Sequence, residues 1–290
     1  MAPTDRTSAP SPEEIGAMYD EMGELLEMTL GSSALHVGWY VPPGDHRPLS
    51  LLTDLADLAQ DRQTDYLIGA TKLPADGHLL DIGCGTGGPA VKLAARSGGR
   101  VTGITVSGTQ VDKCRARASD AGVTDRVTFQ YGNAMAMDFS DAAFDAAWAI
   151  DCLVHMGDRA AALGEAYRVL RPGGQLLCTE FTIIGTPPEE QVSAFTQLWS
   201  SGVPRRLPEV LGEVQDAGFR TVEVLDITSN MRLSDELMGV LFEDRRGEIE
   251  KRFGAETTER AGALMAPFRA FCQGHLEYHL LKLRKPEPPA

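Results

Sequence analysis

The residues best suited to chemistry lie in one stretch, residues 78–88, which reads HLLDIGCGTGG. Apolar residues lead into Asp81, and glycines follow at Gly83, Gly85 and Gly87. This order predicts a buried strand, a tight turn and a helix. Glycine tolerates positive φ and lets a ligand approach the backbone closely. The stretch therefore predicts a nucleotide-type ligand at a strand's carboxyl end, beside a helix N-terminus. The competing interpretation is a glycine-rich turn without a ligand.

The same letters fit two nucleotide-binding patterns. Three of the glycines satisfy G-x-G-x-x-G, the dinucleotide fingerprint, which is a weak signal by itself. A dinucleotide site also calls for an acidic residue about 20 positions further on. The next predicted strand, residues 100–106, is followed by Ser107 and carries no acid. Asp81 instead fits h-h-D-h-G-x-G-x-G, so an NAD-dependent oxidoreductase is the less favoured alternative.

The composition narrows the class of partner. The chain has 290 residues, a formal net charge of -14 and 43% hydrophobic residues. Such acidity argues against nucleic acid, whose binding depends on Lys and Arg contacts with phosphate. The five cysteines form no C-x-x-C pair, and neither they nor the six histidines have metal-ligand spacing. With no long apolar run and no signal-peptide core, we expect a cytoplasmic protein without membrane, nucleic-acid or metal partners.

Strand-like and helix-like segments alternate from residue 79 onward, which predicts a doubly wound, mostly parallel sheet of α/β class. We expect seven strands, the first beginning at residue 79 and the others at 100–106, 127–131, 144–150, 175–181, 221–227 and 278–284. Helices are expected at 108–121 and 159–170, and the second of these should stop at the RPGG sequence of residues 171–174. The stretch 187–206 looks irregular.

The N-terminal region is an addition to this core. Ser11, Pro12 and Glu14 form a helix start with a capping box, and apolar residues then recur with helical spacing. We expect this helix to lie over the active site as a lid and to be a candidate interface between copies of the chain. The expected organisation is a disordered tail at 1–10 and one domain at 11–285, divided into a helical lid and acceptor region at 11–75 and a Rossmann-like core at 76–285 with caps at about 185–206 and 229–272.

Further pieces of the chain extend the match to the aspartate–glycine pattern. They are SPEEIGAMYD, LHVGWY, VTGITVSGTQV, RVTFQYGNAM, FDAAWAIDCLVHM and RVLRPGG. With these motifs the chain resembles the class I S-adenosylmethionine (SAM) methyltransferases that tailor bacterial natural products, such as the rebeccamycin sugar O-methyltransferase and indole or terpenoid C-methyltransferases. The resemblance implies SAM as cofactor, S-adenosylhomocysteine (SAH) as product and a small-molecule acceptor.

The resemblance also implies a set of cofactor contacts. They are Asp81, Gly83, Gly85, Thr86, Val106, Ser107, Gln110, Asn133, Ala134 and Asp151. It places Asp81 at the methionine end of SAM, and Ser107 and Gln110 near the ribose and adenine. Asn133 stands where an acid often contacts the adenine amine, and an amide oxygen can accept the same bond. Ala134 would pack on the adenine ring.

Methyl transfer to a neutral acceptor needs a base, and His155 is the first candidate because histidine titrates near neutral pH. The rebeccamycin sugar O-methyltransferase has two adjacent histidines at this place, but in this chain Val154 replaces the first. This slightly favours an electron-rich carbon over a hydroxyl oxygen as acceptor. Tyr19 and Glu180 are further catalytic candidates, with a core aromatic and a strand-end salt bridge as equally weighted alternatives. His36, Trp39 and Tyr40 are candidate pocket residues. A non-catalytic SAM-binding protein is a third interpretation.

Overall fold

The computed structural model describes residues 10–30, 34–37 and 52–288. Most of the predicted disordered tail, together with Trp39 and Tyr40, lies outside these residues. Seven strands form one sheet. They are β1 (His78–Ile82), β2 (Arg100–Thr105), β3 (Val127–Tyr131), β4 (Phe144–Ala149), β5 (Leu170–Ile183), β6 (Arg220–Asp226) and β7 (Leu276–Arg284).

Helices flank the sheet and precede it. In chain order they are α1 (Pro12–Leu30), α2 (Leu52–Thr71), α3 (Gly88–Ser97), α4 (Gly108–Asp120), α5 (Arg159–Val169), α6 (Glu189–Trp199), α7 (Leu207–Asp216), α8 (Thr228–Asp244), α9 (Arg246–Phe253) and α10 (Ala255–Gly274). None of the helices described here is long and apolar enough to cross a membrane.

The strand order is β3-β2-β1-β4-β5-β7-β6. The first five strands run parallel, and β7 is antiparallel to both of its neighbours. This is the doubly wound, mostly parallel seven-stranded sheet that the alternation of segments predicted. The chain reverses its winding direction between β1 and β4, and such a switch point opens a crevice outside the carboxyl ends of the strands.

Both faces of the central parallel strands β1, β2 and β4 are buried, as parallel sheets require. On β1, Leu79 packs in the apolar cluster of one face and Leu80 in that of the other, and neither is exposed. Trp148 of β4 is fully buried, and its indole N–H donates to Thr71 Oγ1 of α2 at 2.7 Å. The rigid centre of the sheet therefore fixes the strand ends where the candidate residues lie.

The predicted capping box forms at the start of α1. The Ser11 backbone N–H donates to Glu14 Oε2 at 2.7 Å, and the Glu14 N–H donates to Ser11 Oγ at 3.2 Å. Two other details differ from expectation. The stretch predicted as irregular contains α6, which packs Phe195 into the core. The RPGG sequence lies inside β5, because Leu170 already pairs with Phe144 and the Gly173 N–H donates to Lys285 O.

Candidate active site

The glycine loop leaves β1 as expected and lines a cleft. Gly83 and Gly85 both have positive φ, 67° and 53°. A Cβ at Gly83 would lie 2.6 Å from Cys152 Cβ, so only glycine fits there. A Cβ at Gly85 would meet no atom within 4 Å and would project into open space. The loop thus keeps a cradle free of side chains at the carboxyl end of β1.

Asp81 and Thr86 are buried beside this cradle with unused hydrogen-bonding capacity. Asp81 is 3% exposed, and its Oδ2 has no partner among the described residues. Burial raises the pKa of its carboxyl from 3.8 to about 7. Thr86 Oγ1 is likewise buried without a partner. A buried carboxylate without a partner is costly, and a cationic ligand group would relieve that cost. The α-ammonium of SAM supplies such a group, so Asp81 fits the cofactor. Neither Asp81 nor Thr86 is among the residues that line the cleft itself, since both lie directly behind the glycine loop.

The end of β2 is organised by hydrogen bonds among its own residues. Ser107 is fully buried and caps α4, since its Oγ accepts from the Gln110 N–H at 3.1 Å. The Ser107 hydroxyl also donates to Asp20 of α1. Ser107 therefore ties α1 to the β2–α4 loop and does not line the cleft, in contrast to the expected ribose contact. Gln110 does line the cleft, and its Oε1 accepts from Thr105 Oγ1 at 2.6 Å.

The turn after β3 supplies the next wall of this cleft through Asn133 and Ala134. Asn133 Oδ1 accepts from the Met135 N–H at 2.9 Å, which identifies the oxygen of the amide because a backbone N–H can only donate. A carbonyl oxygen accepts two bonds, so one remains for an amine. Ala134 is buried and offers the small flat surface expected next to a ring.

Helix α1, the predicted lid, forms one wall of the cleft. Pro12, Ile15 and Tyr19 of this helix line it, a contribution that the sequence indicated only for Tyr19. The helix approaches so closely that a Cβ at Gly16 would lie 2.4 Å from Val106 O. The first turns of α1 therefore form part of the wall of this cleft.

Asp151, directly after β4, connects four segments. It has a positive φ of 52°, which is unusual for a residue other than glycine. Its Oδ1 accepts from Tyr278 and Thr179, both at 2.6 Å, and its Oδ2 accepts from the Val37 N–H at 2.9 Å. Strained backbone held by many bonds is frequent at functional sites. With both oxygens bonded to the protein, Asp151 holds the loop and residues 34–37 in place.

Tyr19 and His155 form a hydrogen-bonded pair. His155 is 6% exposed in a short 3₁₀ turn, and its Nδ1 lies 3.4 Å from the carbonyl oxygen of Ser200. A carbonyl only accepts, so Nδ1 carries the proton and Nε2 accepts from the Tyr19 hydroxyl at 3.2 Å. Burial lowers the pKa of His155. Burial, together with the nearby Asp151 charge, raises the pKa of Tyr19.

Glu180, the third predicted catalytic residue, is not part of this group. Its carboxylate accepts from the Arg159 guanidinium at 2.9 Å, and Arg159 also pairs with Glu213 at 2.9 Å. Glu180 lines neither the cleft under α1 nor the second cleft, which is described next. The salt bridge at the strand end, which was the alternative, is what the structure shows.

Two clefts meet at the Tyr19–His155 pair. The first, about 680 Å³, is the cleft under α1 that contains the glycine loop, Gln110 and Asn133. The second, about 600 Å³, is mainly apolar. Their shared lining residues are Tyr19, Leu35, Asp151 and His155. We call them the cofactor cleft and the acceptor cleft.

The sequence did not identify most of the acceptor cleft, which is built by β5, α6, α8, α10 and β7. Its additional lining residues are Phe181, Phe195, Trp199, Met231, Ser234, Asp235, Met238, Phe268, Cys272 and Leu276. Each belongs to an ordinary amphipathic pattern, so only packing shows which of them share a cavity. No group of three or more His, Cys, Asp or Glu residues suited to a metal occurs in the described part of the chain.

Comparisons with known proteins agree with this geometry. A family described as a methyltransferase domain matches residues 80–178. The 27-O-demethylrifamycin SV methyltransferase of Amycolatopsis mediterranei (strain S699) is 35% identical over 282 residues, which cover 96% of this chain and 99% of that protein. An O-methyltransferase of Aspergillus sclerotiorum is 35% identical over 227 residues, 78% of this chain and 83% of that protein.

A solved structure titled [4+2]-cyclase SpnF is 29% identical, covers 97% of this chain and 98% of that one, and superposes with a TM-score of 0.82. The similarity to named methyltransferases does not favour the NAD-dependent alternative. The fit of Asp81 and the glycine loop to SAM points the same way. The full-length match to curated relatives therefore shows that the chain belongs to the SAM-dependent methyltransferases, with the class I fold.

Proposed function

We propose that this enzyme transfers the methyl group of SAM to a hydroxyl oxygen of an apolar small-molecule natural product, with His155 as base acting through Tyr19. The observation that carries the proposal is the meeting of the two clefts. Tyr19 and His155 line both of them, so a group in the acceptor cleft and the cofactor's methyl would come together at this pair.

The reaction requires the protein to position the acceptor next to the cofactor and to remove one proton. SAM, when bound, supplies a methyl group on a sulfonium, which is already activated for transfer. His155 Nε2 has its lone pair directed at the Tyr19 hydroxyl. Tyr19 can therefore take the proton of the acceptor hydroxyl while it passes its own proton to His155. The lowered pKa of His155 keeps its imidazole neutral and able to accept that proton at neutral pH.

The pair also accounts for the missing second histidine. The sequence favoured carbon slightly, because Val154 removes one candidate base. Tyr19 lies against His155, and in the proposed mechanism it serves as the second proton-transfer group. Asp151 does not contact the imidazole directly, but its negative charge favours the imidazolium that forms. Oxygen as acceptor also agrees with the names of two similar relatives. One is a 27-O-demethylrifamycin SV methyltransferase, and the other is an O-methyltransferase.

The test is a mass-spectrometric assay of the purified enzyme with SAM. The acceptor panel contains 27-O-demethylrifamycin SV, which one relative's name indicates, together with other hydroxylated apolar compounds and an indole. We expect one added methyl on oxygen. His155→Gln should lose activity, whereas the matched control His275→Gln, a histidine outside both clefts, should keep it. Both variants should bind SAH normally.

Three results would contradict the proposal. A methyl group found on carbon would overturn the choice of oxygen. Full activity in the His155 variant would remove its role as base. SAH binding without methylation of any acceptor would favour the non-catalytic interpretation. Because one solved relative is titled a cyclase, the assay also follows acceptor that is consumed without a gain in mass.

A further inference from the structure

The acceptor cleft contains two buried hydrogen-bond acceptors that the proposed mechanism does not use. Most of the cleft is apolar, with Phe181, Trp199 and Phe268 among its walls. His36 and Asp235 also line it, and each is only 6% exposed. Polar groups in such a cleft usually set the orientation and specificity of a ligand.

His36 presents a lone pair that no described residue satisfies. Its Nδ1 lies 2.9 Å from the Val37 carbonyl oxygen, which only accepts, so Nδ1 carries the ring proton. Nε2 is therefore unprotonated, and it is buried without a partner. Burial lowers the pKa of His36, which keeps the ring neutral. The Val37 N–H is bonded to Asp151, which holds the backbone of this segment in place.

Asp235 is a second acceptor that is only weakly paired. It lies on α8, and its Oδ2 receives one bond, from Gln273 Nε2 at 3.4 Å. That distance is long for a hydrogen bond. Burial raises the pKa of its carboxyl to about 6, so the group is still mainly ionised at neutral pH. A carboxylate accepts about four hydrogen bonds, and Gln273 is its one hydrogen-bond donor among the described residues.

We propose that the acceptor is a polyol on an apolar framework, which offers further hydroxyl groups to His36 Nε2 and to the Asp235 carboxylate in addition to the hydroxyl that is methylated. This inference rests on the proposed function and specifies its substrate class. The apolar walls match the framework, and both unsatisfied groups call for a donor. A site built to accept such bonds rejects an analogue that lacks the hydroxyl, because the buried acceptor then stays unpaired.

Calorimetric binding to the SAH-saturated enzyme tests the inference without any need for turnover. The probes are estradiol, the two mono-ols that each lack one of its hydroxyls, its amino analogue, and a long-chain α,ω-diol with its mono-alcohol. We expect diols to bind at least about tenfold more tightly than their mono-ols, since a site that pairs a hydroxyl discriminates strongly against its loss.

Two variants of one residue provide matched controls. His36→Phe keeps a ring of similar size and removes the acceptor, so it should erase much of the preference for diols. His36→Gln places an amide oxygen near the position of Nε2 and should retain it. Asp235→Asn, which keeps the shape and one acceptor oxygen, should show a partial loss. SAH affinity should be unchanged in all three, because neither residue lines the cofactor cleft.

Equal affinity for diols and mono-ols in the wild type would overturn the inference, as would a preference that survives His36→Phe. Failure of every diol to bind would overturn it as well. Tighter binding of the amino analogue would show that Asp235 prefers an ammonium group, and it would overturn the assignment of a hydroxyl there. If diols are preferred but no acceptor is methylated, the proposed function fails and this inference stands. If mono-ols are methylated as efficiently as polyols, the inference alone fails.

Discussion

Replacing Asp81 with asparagine should stabilise the cofactor-free protein and at the same time destroy its affinity for SAH. The carboxylate is buried next to the glycine loop, and its Oδ2 has no partner among the described residues. Its charge therefore destabilises the folded, cofactor-free protein and favours the binding of a cationic group. An asparagine side chain at this position would have nearly the same shape without the charge.

The size of the effect follows from the shift in pKa. Burial raises the pKa from 3.8 to about 7. With about 1.4 kcal/mol for each unit, ionised Asp81 costs roughly 4 kcal/mol of folding free energy. A buried asparagine amide without partners costs about 1–2 kcal/mol itself. We therefore expect Asp81→Asn to gain roughly 2–3 kcal/mol at about pH 8, where Asp81 is ionised.

The pH dependence gives the sign an independent check. The folded protein holds the proton more tightly than the unfolded chain, so the penalty is fully present above the folded pKa. It declines as the pH falls from about 7, and it disappears below 3.8. Urea unfolding of the cofactor-free wild type and variant across this range should show a gain that vanishes in acid. In the wild type, SAH affinity should weaken below about pH 7 as the carboxylate takes up a proton.

Asp145→Asn is the matched control. Asp145 Oδ2 accepts from the His78 N–H at 2.8 Å, and the carboxylate also pairs with Arg171. The same substitution should therefore reduce stability there and leave SAH binding intact. A destabilised Asp81→Asn protein near pH 8, or one that binds SAH as well as the wild type does, would refute the reasoning.

Three further substitutions test other parts of the site. Gly16→Ala places a Cβ too close to Val106 O, so α1 must shift. Because such overpacking costs about 1–3 kcal/mol, SAH binding measured by calorimetry should weaken about tenfold. Glu180→Gln should keep kcat within about threefold and lose about 1–3 kcal/mol of stability, because it weakens the buried bond to Arg159 while Arg159 keeps its pairing with Glu213. A larger loss of kcat would support a catalytic role for Glu180. Tyr19→Phe should lower kcat by about 10²-fold with SAH affinity nearly unchanged, as expected when a proton-transfer group is lost.

Much of the core and of the cofactor cleft was predictable from local sequence. Strand β3 has the predicted bounds, the capping box of α1 forms, and Gly83 and Gly85 adopt positive φ. Such features depend on residues close in the chain, through strand and helix periodicity and the freedom of glycine. The order of strands and helices then brings the carboxyl ends of β1, β2 and β4 together, which is why most of the candidate cofactor residues share one cleft.

The differences from expectation involve side chains whose partners come from distant parts of the chain. Ser107 bonds to Asp20 rather than facing a ligand, and Glu180 bonds to Arg159. Neither partner is indicated by spacing or residue type, since a buried polar group accepts whichever partner packing brings to it.

Local patterns were enough to predict the fold class, the glycine loop and the candidate base His155. Packing of remote segments was needed to show that α6, α8 and α10 enclose an acceptor cleft and that this cleft meets the cofactor cleft at Tyr19 and His155. Turns and periodic elements are specified by near neighbours. A cavity, by contrast, is specified by how amphipathic faces from remote segments pack, and their apolar residues look alike in the sequence.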